Sequence, residues 1–121
     1  MIYSGQEARL EEKLKFFEKD TIQWNNFPDG NFYKQLISLR KKHPVFWSNN
    51  TTLEFMDGLP DGVVGFKRWN KNNTYYVLLN LSNQFQKIDT GLISGNLIIN
   101  DENSSIHSLA NNGYFITKSL N

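Results

Sequence analysis

Hydrophobic residues recur at two different periods along this chain, and the change comes near Trp47. In NFYKQLISLRKKHPVFW, from Asn31 to Trp47, the period is helical. Phe32, Tyr33, Leu36, Ile37 and Leu39 form one broad stripe, opposite Lys34, Gln35, Ser38, Lys41 and Lys42. Pro28, Asp29, Gly30 and Asn31 supply turn residues and a capping oxygen at the start. Pro44 stops the helix and biases His43 towards an extended backbone, while Lys41 and Lys42 suit the negative end of the helix dipole. Arg40 lies within the apolar arc, so its guanidinium needs a partner wherever that arc is covered.

After the polar hinge Asn49 to Thr52, short β-rich runs alternate with turn clusters roughly every ten residues, the spacing of an antiparallel β-sandwich. The predicted strands are Leu53 to Met56, Val63 to Trp69, Thr74 to Leu81, Phe85 to Ile88, Asn96 to Ile99, Ser105 to Leu109 and Tyr114 to Lys118. Val64 and Phe66 share one face of VVGFKRW, Lys67 and Trp69 the other, and Gly65 hints at a bulge or a close approach. TYYVLLNL is apolar almost throughout, which implies a strand buried on both faces, paired as a hairpin with VVGFKRW across Asn70 to Asn73. Ahead of the helix, Met1 to Tyr3 suit the end of a short buried strand. Ala8 to Lys19 have helical spacing at Leu10, Leu14 and Phe17, but Phe16, Phe17 and Trp24 favour an ordered loop packed on a neighbouring body. Two domains follow: residues 1–47, and a β-sandwich over 48–121.

Composition narrows the classes. A chain of 121 residues that is 39% hydrophobic supports one modest core. A net charge of +1, with both signs scattered, gives no electrostatic footprint for nucleic acid or an anionic membrane. There is no cysteine, which removes disulfides and thiolate metal sites but leaves the compartment open, cytoplasmic or exported. No apolar run approaches the roughly 20 residues that span a bilayer, and MIYSGQEARL is not built like a secretory signal. His43 and His107 stand in no metal-binding spacing and in no arrangement with a nucleophile, so neither a metal nor a cofactor is expected. Asn-X-Ser/Thr triplets at Asn50, Asn72 and Asn80 are expected by chance in so asparagine-rich a chain.

Three runs carry a likeness. IYSGQEARL (Ile2 to Leu10), KLKFFEKDTIQW (Lys13 to Trp24) and FYKQLISLRKKHPVFW (Phe32 to Trp47), in this order, resemble the C-terminal end of the catalytic barrel of α-amylase-type glycoside hydrolases, family 13. The resemblance implies the eighth barrel strand and its loop, the loop that follows, and the final barrel helix. VVGFKRW, a turn and TYYVLLNLS then look like that family's C-terminal sandwich, a Greek-key fold called domain C.

The family's aspartate nucleophile, glutamate acid/base and second aspartate belong to earlier barrel segments that this sequence does not contain. A retaining glycosidase needs two carboxylates about 5 to 5.5 Å apart. Glu7, Glu11, Glu12, Glu54, Asp57 and Asp61 lie in none of the family's catalytic motifs and read as solvated. The expectation is therefore a non-catalytic fragment of an α-glucan hydrolase that supports the barrel. Its partner is the rest of that barrel, and self-association through barrel-facing surface is the other route to covering it. By the same resemblance Gln6 and Glu7 fall on the rim of the parent's cleft, where barrel active sites are built. The competing reading is a carbohydrate-binding module, with Trp69 and Tyr75 beside the hairpin turn stacking on α-glucan; their bland role is cross-strand packing.

Overall fold

The computed structural model describes residues 4–15, 18–19, 21–24 and 26–121. The strand predicted at Met1 to Tyr3 and the packing predicted for Phe16 and Phe17 lie outside the described residues. The chain divides into two compact units, Met1–Lys42 and His43–Asn121. The sequence pattern sets this division after Trp47. The division falls earlier because the short 3-10 turn Pro44–Phe46 lies against the sheet, with Val45 buried and the Phe46 ring edge-on to Tyr75 at 4.8 Å.

In the first unit the helix α1 spans Gly30–Lys42 and ends one residue short of His43, as Pro44 dictates. Leu39 on its stripe is buried and Phe32, Tyr33 and Leu36 are half-buried, but Ile37 is exposed, and so is Arg40. No helix forms over Ala8 to Lys15 beyond a single 3-10 turn, Gln6–Ala8. The backbone explains this. Gly5 and Arg9, which flank the turn, both take left-handed angles (φ 91° and 52°), which an α-helix cannot continue. Arg9 is then held by a bidentate pair to Asp29, at 2.6 and 2.8 Å, which commits the Asp29 side chain to Arg9. Trp24 does not pack inward; it is 44% exposed and stacks on Phe27 with centroids 5.9 Å apart.

The second unit is mainly antiparallel β. Its strands are β1 (Thr52–Phe55), β2 (Val63–Trp69), β3 (Asn73–Asn80), β4 (Gln86–Lys87), β5 (Asn96–Asn100), β6 (Ser108–Leu109) and β7 (Tyr114–Leu120). Five of them form a sheet in the order β1-β2-β3-β7-β5, and β4 pairs with β6 in a second, two-stranded sheet. The hairpin β2–β3 forms as the alternation predicts, and β3 sits in the middle with Tyr75, Val77 and Leu78 all buried. Gly65 marks a close approach rather than a bulge, since a side chain there would meet Leu59 at 2.7 Å while the β2–β3 register runs unbroken. The irregularity falls in β5 instead, between Leu97 and Ile99.

Directly opposed residues share a face, so the register fixes what each side of the five-stranded sheet carries. Val63, Leu78 and Phe115 point to one side and meet Ile88, Ile93 and Leu109 from the β4–β6 layer and its connections. This is the core, and the arrangement is that of a small, lopsided sandwich. Its polar end is closed by Asp101. The Asp101 carboxylate accepts from the amides of Asn103 (2.9 Å) and Tyr114 (2.7 Å), and the buried Ser104 hydroxyl accepts from the Ala110 amide (2.9 Å).

Burial pushes the Asp101 pKa up, but the Ser104 hydroxyl and these amides outweigh it and hold the carboxyl below its usual range. A group whose pKa is lower folded than unfolded contributes stability that is fully present above the unfolded value, about 3.9, and is lost as pH falls through the folded one. Thermal melts at pH 6 and pH 3 are accordingly expected to show a smaller acid-induced drop in Tm for Asp101→Asn than for the parent chain. Equal drops would remove this contribution.

Candidate functional site

The residues proposed from sequence as a sugar platform do not come together. Trp69 pairs with Thr74 across the hairpin, and Tyr75 pairs with Arg68. Adjacent positions alternate, so Trp69 and Tyr75 project from opposite faces of the sheet. This also excludes the cross-strand packing between them that the sequence favoured. Tyr75 is only 1% exposed and presents no ring face to a sugar. Its hydroxyl lies 2.7 Å from His43 Nδ1, its ring lies against Phe46, and Lys118 Nζ stands 5.9 Å from the ring centroid. Burial raises the Tyr75 pKa, so the phenol keeps its proton and can donate to His43. His43 is thus a structural link from the start of the unit to the middle strand. Trp69 keeps an accessible edge, with Lys67 Nζ 5.0 Å from its ring centroid; Lys67 in turn pairs with Glu54 at 3.0 Å.

Around the core, the other side of the sheet carries a different surface. Leu53, Phe55, Val64, Phe66, Tyr75, Val77, Leu79 and Ile116 all fall on it by register. The Pro44–Phe46 turn lies against Tyr75, but elsewhere on this face Phe55 is 68% exposed, Leu53 47%, and Val64 and Leu79 38% each. Exposed apolar side chains gathered on one sheet face mark a surface suited to contact with another body.

Gln6 and Glu7 stand on the 3-10 turn, with Gln6 exposed and Glu7 half-buried. Glu7 is the more informative. Its Oε2 is enclosed, with under 1 Å² of accessible area, and has no hydrogen-bond partner. It faces a groove of about 520 Å³ along α1, whose lining includes Tyr33, Lys34, Ile37, Lys41 and Lys42. The sequence placed the three lysines on a solvated face and gave Glu7 to a barrel cleft. What brings them together is the double left-handed turn at Gly5 and Arg9, and the only trace of it in the sequence is Gly5. The Arg9 guanidinium beside Asp29 anchors that turn, and holds the Asp29 carboxyl below the usual carboxylate range.

His107 is exposed, its amide bonded to Ser105 Oγ at 3.2 Å. Among the described residues no group of three or more His, Asp or Glu side chains could hold a metal ion, and no helix is long and apolar enough to cross a membrane. The Asn80 triplet is no glycan acceptor in this fold, because the side-chain amide is buried and donates to the carbonyls of Gln84 and Ala110. In comparisons with known proteins, no family model and no curated protein matches the chain.

Proposed function

We propose that this chain is the closing segment of an α-amylase-type glycoside hydrolase: the last barrel strand, loop and helix, followed by a Greek-key domain C whose role is to support the barrel. The observation that carries the reading is the exposed apolar patch on one face of the five-stranded sheet. Phe55, Leu53, Val64 and Leu79 form a surface suited to being covered by a second body, which a barrel flank supplies. The order of one amphipathic helix followed at once by an antiparallel sheet fits the same reading. The substrate of the parent would be an α-glucan, cleaved by carboxylates outside this chain.

The coding sequence upstream of Met1 tests the proposal. An open frame encoding a barrel with the family's aspartate, glutamate and aspartate segments is expected; a stop codon followed directly by a start site would overturn it. The carbohydrate-module reading now rests on Trp69 alone, through its accessible edge. Titration of the purified chain with maltoheptaose is expected to give no binding at millimolar sugar, and a saturable signal lost in Trp69→Ala would favour the module instead.

A further inference from the structure

The groove along α1 combines an apolar floor with a basic rim. Positions 30, 33, 34, 37, 38, 41 and 42 recur at three- and four-residue spacing, so the groove follows one side of the helix for about 18 Å at 1.5 Å per residue. Its floor is apolar, with Tyr33 half-buried and Ile37 44% exposed. Its rim is basic. Lys34, Lys41 and Lys42 take part in no ion pair among the described residues. Glu7 also lines the groove, with its Oε2 enclosed and lacking a donor.

We propose that this groove docks an acidic amphipathic helix of a partner polypeptide. A long apolar floor flanked by like charges accepts the apolar face of a helix whose own flanks are oppositely charged. The partner brings carboxylates to the three lysines. The Glu7 carboxylate in the lining argues against a nucleic-acid backbone or an anionic lipid surface, whose phosphates it would repel. A second copy of this chain does not supply the occupant through α1, since GNFYKQLISLRKK contains four basic residues and no acidic one. The inference stands on the groove residues alone and does not depend on the parentage proposed above.

The experiment uses the full chain and two fluorescein-labelled helical 14-mers with the same leucine stripe, one flanked by glutamates and one by lysines. The glutamate peptide is expected to bind at micromolar concentration and the lysine peptide not to bind. Reversing Lys34→Glu, Lys41→Glu and Lys42→Glu together is expected to weaken the glutamate peptide about tenfold, since exposed pairs contribute roughly 0.2 to 1 kcal/mol each. The same variant is expected to gain the lysine peptide, which also shows that the groove is still folded. Equal binding of both peptides, no binding up to millimolar concentration, or indifference to the reversal would each overturn the proposal. Self-association that excludes the peptides, seen by sedimentation, would overturn it as well.

Discussion

Asn80→Leu is expected to lower the unfolding free energy of the β unit by about 3 to 4 kcal/mol, because it removes four hydrogen bonds, each worth roughly 1 kcal/mol, from a side chain that is itself buried. Asn80 is 2% exposed, and every hydrogen-bonding position of its side chain is used. The amide nitrogen donates to the carbonyls of Gln84 (2.7 Å) and Ala110 (2.8 Å), and Oδ1 accepts from the Ser82 amide (3.0 Å) and hydroxyl (2.7 Å). One residue at the end of β3 thereby pins the loop that follows it and the segment that leads into β7. Leucine has the same branching and number of side-chain heavy atoms, and its bulkier methyl groups add crowding to the loss of hydrogen bonds. Asn80→Asp offers a sharper comparison. It places a carboxylate against two carbonyl oxygens and should be worse than leucine above the pKa of that carboxylate. Urea unfolding followed by far-UV circular dichroism measures both; a leucine variant within about 1 kcal/mol of the parent would show that the set is replaceable.

The same residue shows what the sequence could and could not convey. TYYVLLNL announces a central strand, because its near-continuous apolar character is what burial on two faces requires, and β3 occupies the middle of the sheet. VVGFKRW coincides with β2 end to end for a related reason: alternation on a half-covered strand is a local signal. Pro44 ends α1 through the geometry of a single bond. By contrast, Asn80 reads as one more asparagine in an asparagine-rich chain. Its partners Gln84 and Ala110 lie four and thirty residues away, and no local pattern records them.

The hydrophobic pattern misleads in three further places. Within an apolar run the inward and outward positions look alike, so Tyr75 passes for a surface aromatic until the register with Arg68 sets it on the far side from Trp69. The run Ser105 to Leu109 has strand-like alternation, but only Ser108–Leu109 form β6. Ser105 and Ser108 bond to one another through both backbones and both hydroxyls, closing a tight loop where a longer strand was expected. The helical spacing of Leu10 and Leu14 fails similarly, overridden by the left-handed Arg9 and its pair with Asp29. In each case a contact distant in sequence, or a polar side chain bonding its own backbone, prevails over the hydrophobic period.

Gly95→Ala is expected to cost about 3 to 5 kcal/mol, the sum of a strained backbone angle and an overlap that neither strand can relieve. Gly95 has φ 102°, outside the region that residues with a side chain adopt, and it immediately precedes β5. An alanine Cβ there would lie 2.2 Å from the Lys118 carbonyl oxygen and 2.4 Å from its carbon. Those atoms belong to β7, whose other edge is paired with β3 along its length, so the obstacle is backbone held by a ladder rather than a side chain able to turn aside. The strain must therefore fall on β5, which is an edge strand with only one neighbour. Detachment of β5 would uncover Ile99, which is 7% exposed, and free Thr117 Oγ1 from the Ser94 carbonyl. The expected signature is a lower urea midpoint together with faster amide exchange confined first to Asn96–Asn100. Gly58→Ala is the control, since Gly58 also has a positive φ, 72°, but nothing lies within 4 Å of the added methyl group. Its cost should be the backbone term alone, about 1 to 2 kcal/mol. If the two variants unfold at the same midpoint, the close passage of Gly95 over β7 contributes nothing, and β5 is held by its hydrogen bonds without it.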